Sequence, residues 1–303
     1  MKSNFKNIGK NIKMTFKTTS PSYVFVFIFL LLYVVFFCYL MFWAISTSLK
    51  TVSDFNDNVL GFPTNPTFTN FVTIFNNFYV RVNIDGEMVP KFVEHMLINT
   101  LLYAGVGSFI SAFVPCIVAY VVTRFNYKFN AIIKGIVIVT MVLPIVGSSA
   151  SGLQLLQTLG LYDSIVGDWI TKISFLGMYF LIFSAAFETL PKDYIEAAYM
   201  DGASELKLFF KVMFPMVGTI FTTVMLMSFI GMWNDYQTPL LYLPSHPTLA
   251  YGIYDLSKTN INDLNNVPAR VAGCVILLVP ILTVFISFRK KIMGNINIGG
   301  IKE

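Results

Sequence analysis

The residues that could do acid–base chemistry in this chain are few, and they do not form a clustered motif. The possible acid–base groups are Asp235, Glu188 and His246. No Gly-x-x-x-x-Gly-Lys-(Ser/Thr) sequence occurs, so the chain lacks the loop that cradles nucleotide phosphates. His-Glu-x-x-His and Gly-x-Ser-x-Gly sequences do not occur either. An integral membrane enzyme that uses these three groups therefore remains only a weakly supported alternative.

The cysteines and histidines predict neither a disulfide nor a metal site. Cys38, Cys116 and Cys274 fall in different apolar runs, and no Cys-x-x-Cys sequence occurs. We therefore interpret them as buried apolar thiols. His95 and His246 each stand alone, so a metal site built on them is not expected.

The composition predicts a membrane protein. Of 303 residues, 55% are hydrophobic and only 12% are charged, and the mean hydropathy is +0.68. Soluble domains carry about 25% charged residues. With so little charge, most of this chain must be solvated by lipid or by other apolar helices.

Six apolar runs approach the ~20 residues that a helix needs to cross a bilayer. We expect spans near Tyr23–Ile45, Met96–Val122, Ile132–Ser149, Ile173–Leu190, Met216–Leu243 and Val271–Phe288. The first run has no small-residue cleavage site and is interpreted as a retained anchor rather than a signal peptide.

The basic residues predict the orientation of these spans, because cytoplasmic segments carry an excess of Lys and Arg. A cytoplasmic N-terminus places 15 of the 21 basic residues inside. The basic residues left outside are Lys50, Arg81, Lys91, Lys172, Lys258 and Arg270. The pI of about 8.9 thus reflects membrane orientation, and nucleic acid is not an expected partner. An anionic-lipid contact is the alternative role for the basic N-terminal tail.

These assignments predict an all-α polytopic membrane protein with six transmembrane helices and a cytoplasmic helix–turn–helix loop. Both termini are expected to be cytoplasmic. The expected parts are a basic cytoplasmic tail at 1–22, a transmembrane domain at 23–289, an extracellular loop at 47–95, a cytoplasmic loop at 191–215 and a cytoplasmic tail at 290–303.

The loop at 191–215 has the residues of a compact helical elbow. Asp193 and Glu196 have the spacing of a capping box, which predicts a short helix over 194–200. Gly202 can supply the positive φ that closes it, and Ser204 can cap a second helix that ends at Pro215. In that helix an apolar face is expected from Leu206, Phe209, Phe210 and Met213. An ordinary amphipathic connector on the membrane surface is the alternative.

The same loop resembles the "EAA" loop of the permease subunits of bacterial ABC importers. That family has Glu-Ala-Ala, three residues, Gly, nine residues and then Ile-x-Leu-Pro. Here the matching residues are Glu196, Ala197, Ala198, Gly202 and, ending the motif, Val212, Phe214 and Pro215. The run that begins with Asp201 is similar to the sugar-importing branch.

This resemblance implies a permease of the bacterial plasma membrane that works with other subunits. The expected partners are a second permease subunit, two ATPase domains that bind the loop and ATP with Mg²⁺, and an extracellular solute-binding protein. The chain itself needs no cofactor. Glu196 offers an acceptor to the ATPase, although it could also serve only its own helix cap. A secondary transporter would need charged residues deep in several spans and internal repeats, and the spans show few.

A second segment, from Phe229 to Tyr236, resembles the Gly-x-Trp-Asn-(Asp/Glu)-(Phe/Tyr) sequence of oligosaccharide permeases. Asn234 and Asp235 are unfavourable in a membrane helix unless they face a cavity or a partner. Trp233 and Tyr236 have flat faces of the kind that stack on sugar rings. We expect these residues to line the substrate pathway. The alternative is an aromatic interfacial belt in which Asn234 caps a helix break.

Overall fold

The computed structural model describes residues 21–84, 86–125, 127–143, 147–258 and 264–293. Most of both predicted tails, namely residues 1–20 and 294–303, lies outside the described residues. The elements are α1 (Pro21–Ser48), α2 (Val52–Asp57), α3 (Thr69–Asn77), β1 (Tyr79–Ile84), β2 (Glu87–Phe92), α4 (Val93–Arg124), α5 (Asn130–Val142), α6 (Ser148–Thr158), α7 (Ile165–Thr171), α8 (Met178–Glu188), α9 (Asp193–Met200), α10 (Glu205–Met216), α11 (Gly218–Trp233), α12 (Gln237–Tyr242), α13 (Leu249–Lys258) and α14 (Val267–Met293).

Three helices of the described chain are long and apolar enough to cross a membrane: α1, α4 and, over Val267–Phe288, α14. They correspond to the first, second and sixth predicted spans. At 1.5 Å per residue, even 20 residues reach the ~30 Å of a hydrocarbon core. Each of these three helices has 22 residues or more.

The fifth predicted span is a bent pair of helices. α10 and α11 meet at an angle of 74° and pass as one span only if they are counted together. The bend lies at Val217, whose φ and ψ of −93° and 4° leave the helical range. Pro215 was expected to end the first helix, but that helix continues through Met216.

The third and fourth predicted spans are wrong as continuous helices. α5 has 13 residues and α8 has 11, which is about half the length that a bilayer requires. α8 starts late because Gly177, with φ of +133°, sets a non-helical backbone immediately before it. The described residues therefore do not form six unbroken transmembrane helices.

The first of two compact units contains the described residues up to Asn70 together with Asn266–Val275. Within it, α1 exposes aliphatic and aromatic side chains around its whole circumference. At its end, the buried ammonium of Lys50 donates to the carbonyl of Asn58 at 2.5 Å. The amide of Asn70 donates to the carbonyls of Ser48 and Lys50. The start of the predicted loop at 47–95 is thus internally bonded.

The second unit contains the described residues from Phe71 to Asn265 and from Ile276 onward. Its core forms where α8 and α11 pack on α4. Its buried side chains include Ala112, Cys116, Tyr120, Phe180, Phe183, Leu208, Phe209, Met213, Phe221 and Val224. Small residues on α4, such as Ala112 and Cys116, allow the large rings of α8 to approach closely.

An antiparallel hairpin corrects the all-α prediction. β1 and β2 pair from Tyr79 opposite Phe92 to Ile84 opposite Glu87. Val80 and Val82 of β1 are buried while Arg81 between them is exposed, which is the alternation of a strand with one covered face. These residues fall in the predicted loop at 47–95, for which no strand was expected.

Candidate functional site

The helices α9 and α10 are joined by a tight turn at Gly202, and we define the elbow as residues 193–216. Gly202 has a φ of +70°. Its N–H donates to the carbonyl of Tyr199, and that of Ala203 donates to the carbonyl of Ala198, each at 2.9 Å. This pair of bonds is typical of helices that end through a left-handed glycine. The hydroxyl of Ser204 accepts from the N–H of Lys207, so the predicted cap of the second helix is confirmed.

The predicted capping box at the start of the elbow is wrong. Asp193 is the first residue of α9, and Lys192 before it already has helical φ and ψ of −66° and −24°. A capping residue normally has non-helical backbone angles, which bring its side chain to the free N–H groups of the first helical turn. Lys192 does not have such angles, and α9 starts without a side-chain cap. Glu196 is exposed, and its carboxylate forms no hydrogen bond with the described residues, so the carboxylate does not serve its own helix.

The apolar face of α10 differs from the predicted one. Leu208, Phe209 and Met213 are buried, whereas Leu206 and Phe210 are 73% and 51% exposed. A π-helical turn over Phe209–Met213 adds a residue to one turn and shifts the register of the side chains that follow. Leu206 precedes this turn, so the shift does not account for its exposure. A prediction from a regular helical period cannot contain that shift.

The exposed side of the elbow is apolar and lies next to its charged residues. Met200 is 88% exposed, and Tyr194, Leu206 and Phe210 are each at least half exposed. Ala197, Asp201 and Gly202 are exposed, while Ala198 is buried against the core. The elbow therefore offers a short apolar surface beside the carboxylates of Glu196 and Asp201.

A network that the sequence did not indicate joins the end of α4 to the elbow. A guanidinium nitrogen of Arg124 donates to the hydroxyl of Tyr199 at 2.8 Å. That hydroxyl donates in turn to the carboxylate of Glu205. The Nε of Arg124 is buried and has no partner. In the sequence, Arg124 is notable only for its position at the end of an apolar run. Many basic residues that set the orientation of membrane helices share that position.

Trp233 lies in the interior of the second unit. The residue is 1% exposed, and its indole N–H donates to the carbonyl of Leu277 on α14 at 3.0 Å. Its ring lies 5.4 Å from that of Phe229. A ring covered in this way has no free face for a ligand, so the geometry favours a bracing role over the predicted pathway role.

Asn234 and Asp235 occupy the break between α11 and α12. The amide of Asn234 donates to the carbonyl of Ile230 at 2.9 Å. Asn234 is the C-cap residue of α11, in agreement with the alternative of a capped helix break, but it does not cap the next helix. Instead Asp235 does so: its Oδ1 accepts from the N–H groups of Gln237 and Thr238 at 2.9 and 3.1 Å.

Asp235 also belongs to a polar cluster around Tyr103, in the π-helical turn of α4. The Tyr103 hydroxyl donates to Oδ2 of Asp235 at 2.8 Å, and the Lys172 ammonium lies 5.4 Å from the Tyr103 ring centre. Asp168 pairs with Lys172 at 3.4 Å. Burial raises the pKa of the Asp168 carboxyl, and the charge of Lys172 opposes that rise. One sequence does not show which residues on other helices bind a polar side chain such as that of Asp235.

Tyr236 is the one residue of the predicted pathway set that both presents an aromatic ring and lines a cavity. Its ring stacks on that of Tyr254 at 4.4 Å between centroids, with 19° between planes. Both rings line a cavity of about 400 Å³ together with Ser149, Gln237, Thr238, Leu240, Leu241 and Tyr242. The residues that line this cavity have hydroxyl, amide, aromatic and aliphatic side chains, and none of them is charged.

The three possible acid–base groups do not come together. Glu188 pairs with Lys134 at 2.5 Å, Asp235 bonds to Tyr103, and His246 lies 3.4 Å from Asp163. Each belongs to a separate network, so the geometry does not support the membrane-enzyme alternative.

Two solved structures share this fold. A bacterial ABC transporter involved in the import of the acidic polysaccharide alginate matches with a TM-score of 0.69 and 22% identity, over 90% of this chain and 98% of that one. A second structure, the bacterial alginate ABC transporter in complex with alginate pentasaccharide-bound periplasmic protein, matches with a TM-score of 0.59 and 16% identity, over 93% and 97% of the two chains.

The sequence comparisons lead to the same group of proteins. The melibiose/raffinose/stachyose import permease protein MelC of Bacillus subtilis is 24% identical over 85% of this chain and 89% of its own length. The trehalose transport system permease protein SugB of Mycobacterium tuberculosis is 25% identical over 86% and 90%. The family model described as "Binding-protein-dependent transport system inner membrane component" matches residues 12–293. Because that match covers nearly the whole chain, the protein belongs to this family of inner-membrane permease components.

Proposed function

We propose that this chain is a permease subunit of an ABC importer for an oligosaccharide, and that it forms the translocation pathway with a second permease subunit. The substrate class is supported by the sugars named for its relatives, which include melibiose, raffinose, stachyose and trehalose. An extracellular solute-binding protein would deliver the sugar. ATP and Mg²⁺ would be bound by a separate ATPase, and no catalytic residue is assigned to this chain.

The observation that carries this proposal is the elbow. Glu196 is exposed and unpaired among the described residues, and it lies beside an exposed apolar surface that includes Met200, Leu206 and Phe210. Exposed apolar side chains of this size are stabilised when a partner covers them. An ATPase bound here would gain apolar contact and a charge-assisted bond to Glu196.

The elbow is built to transmit a push into the membrane helices. Its first helix is bonded to α4 through Arg124 and Tyr199, and its second helix packs into the core through Leu208, Phe209 and Met213. A movement of the ATPase surface would therefore rotate α10 and bend the joint at Val217. This is how ATP hydrolysis in the partner would reach the pathway.

We also propose that the chain crosses the membrane six times with both termini in the cytoplasm. α5 and α8 are too short alone, so the third and fourth crossings would include non-helical backbone on either side of them. Irregular backbone is tolerated at membrane depth when protein buries it or when it lines a cavity. Cysteine substituted for Ser204 should be unreactive to impermeant reagents in intact cells, and one at Asn83 should react. Labelling of position 204 from outside would invert the topology.

Co-purification tests the subunit composition. A tagged copy of this chain, extracted in mild detergent, should bring down a second permease and an ATPase, and the complex should hydrolyse ATP faster when the loaded binding protein is added. Recovery of the chain alone, with intact membrane insertion, would contradict the proposal.

For the pathway, the geometry supports Tyr236 rather than Trp233. Tyr236 lines the cavity of about 400 Å³, and aromatic rings with nearby hydroxyl and amide groups suit a sugar. Asn234 and Asp235 are assigned to the helix break, where their hydrogen bonds are already made.

A further inference from the structure

The end of α4 and the elbow enclose a cavity whose charge is unbalanced. It has a volume of about 810 Å³ and its lining includes four cationic and two acidic side chains: Arg124, Lys128, Lys134, Lys192, Glu188 and Glu196. All of its walls belong to the second unit. The excess of positive charge sets it apart from the cavity beside Tyr236, which has no charged side chain in its lining.

Only some of the cationic side chains that line this cavity form ion pairs within the protein. Lys134 is paired with Glu188 at 2.5 Å, which neutralises one cation and one anion. Lys128 and Lys192 form no ion pair with any described residue. Two unpaired ammonium groups therefore face the same space, with Glu196 as the one remaining carboxylate.

Arg124 adds an unmet hydrogen-bond donor. One terminal nitrogen donates to the Tyr199 hydroxyl at 2.8 Å, while the buried Nε has no partner. An unsatisfied buried donor is rare in folded proteins and is destabilising unless a ligand or water satisfies it. A planar guanidinium with a free edge suits the oxygens of a phosphate group.

The proposed topology, on which this placement rests, puts the cavity at the cytoplasmic surface of the membrane. Its lining includes residues from the end of α4, the start of α5 and the elbow. The exposed rings of Tyr127 and Phe129 flank the turn between α4 and α5, and aromatic side chains are enriched where membrane and water meet. The side chain of Asn130 holds the turn by donating to the carbonyls of Val122 and Phe125 at 2.8 and 2.5 Å, so the wall that carries Lys128 is braced.

We propose that this cavity binds a phosphate ester anion, presented by the head group of an anionic phospholipid. Lys128 and Lys192 supply charge, and Arg124 supplies a directional donor. Basic pockets on the cytoplasmic side of transmembrane helices suit anionic head groups. A head group held there would contact both the end of α4 and the elbow, so the lipid would help to fix the position of the surface that we assign to the ATPase.

Lipid retention on the purified complex tests this site without any transport measurement. The complex is stripped of lipid and titrated with phosphatidylglycerol or with phosphatidylcholine of the same acyl chains, and bound lipid is counted by native mass spectrometry. The wild type should prefer phosphatidylglycerol. The K128Q/K192Q variant should bind it about 30-fold more weakly, since each lysine near a membrane surface contributes roughly a fivefold factor.

Two matched variants serve as controls. K207Q/K211Q removes the same charge from exposed elbow positions that do not line the cavity, and it should bind phosphatidylglycerol like the wild type. K128R/K192R keeps the charge and should also bind normally. Equal binding by the wild type and K128Q/K192Q would overturn the proposal, as would an equal loss in K207Q/K211Q.

Soluble ligands separate the two sources of a phosphate ester. Glycerol 3-phosphate and inorganic phosphate are added in place of lipid. Weak competition by glycerol 3-phosphate, with a clear preference for phosphatidylglycerol, supports the lipid. Strong binding of glycerol 3-phosphate with no preference between the two lipids would reject the lipid as ligand. Because none of these measurements uses sugar or ATP, their failure is distinct from failure of the importer assignment.

Discussion

The elbow and the break between α11 and α12 differ in how their polar and aromatic groups are used. Because the proposed topology puts that break on the outside of the membrane, we call it the outer break. At the elbow, Glu196 is unpaired among the described residues, and Leu206 and Phe210 are exposed. At the outer break, Trp233 is buried and Asp235 accepts from three groups of its own chain. Both segments resemble family motifs, but Glu196 of the elbow is left without an internal partner, whereas Trp233 and Asp235 are bonded within the chain. The difference separates the surface that we propose for docking from a segment that braces the fold.

The largest expected effect is the loss of coupling between the permease and the ATPase when a residue of the elbow is substituted. Gly202→Arg and Glu196→Lys should each abolish substrate-stimulated ATP hydrolysis while leaving the chain in the membrane. Arginine at Gly202 must adopt a φ of +70°, a strain of roughly 1–2 kcal/mol, and places a bulky cation on the surface assigned to the ATPase. ATPase activity of the reconstituted complex is the measurement.

Gly160→Arg is the matched control for that prediction. Gly160 has a φ of +68° and open space around its Cα, as Gly202 has, but it lies outside the elbow. The strain is therefore similar and only the location differs. If Gly160→Arg abolished stimulation as completely as Gly202→Arg, backbone strain rather than docking would explain the loss.

The outer break predicts the opposite behaviour. Trp233→Ala removes a buried indole and should destabilise the chain by about 3–5 kcal/mol, so that less complex assembles. Uptake per assembled complex should stay close to the wild-type value. Trp233→Phe keeps an aromatic ring but loses the bond to Leu277 and part of the buried indole volume, so it should recover part of the assembly. A raised half-maximal sugar concentration in Trp233→Ala, measured per complex, would return Trp233 to the pathway.

These two regions also show how far the sequence could lead. The elbow was predictable because its signals are local: Gly202 sets the turn and Ser204 caps the helix within a few residues of each other. The π-helical turn at Phe209–Met213 was not predictable, because the prediction of an apolar face assumes a regular helical period. Which side of α10 is buried was therefore only partly predicted.

The outer break was harder because its interactions are distant in sequence. Asp235 meets Tyr103 across 132 positions and Trp233 meets Leu277 across 44. The sequence shows that such polar groups need partners, but it does not show whether a cavity or another helix supplies them. The short helices α5 and α8 were missed for a related reason: hydropathy counts apolar residues and does not register where the backbone stops being helical, as at Gly177.

A smaller effect is expected at Tyr236, where the outer region meets the cavity. Tyr236→Ala removes a ring that stacks on Tyr254 at 4.4 Å. If sugar contacts this ring, the half-maximal uptake concentration should rise by about two- to tenfold, corresponding to roughly 0.5–1.5 kcal/mol of aromatic contact. Tyr236→Phe keeps the ring and should stay near the wild type. A normal half-maximal concentration in Tyr236→Ala would remove the last aromatic residue from the proposed pathway.

The last expected effect is on stability rather than on transport, and it tests whether the outer break is a self-contained brace. Tyr103→Phe deletes the hydroxyl that donates to Asp235 at 2.8 Å, and Asp235→Asn weakens the acceptor while an amide oxygen can still cap α12. Each change should lower stability by about 1.5–3 kcal/mol, the range for a hydrogen bond to a charged group. If the two groups act mainly on each other, the double variant should lose less than the sum of the single losses. The assembled complex recovered after mild heating gives the comparison. Strictly additive losses would mean that Tyr103 and Asp235 act independently, and Asp235 would then again be a candidate for contact with the transported sugar.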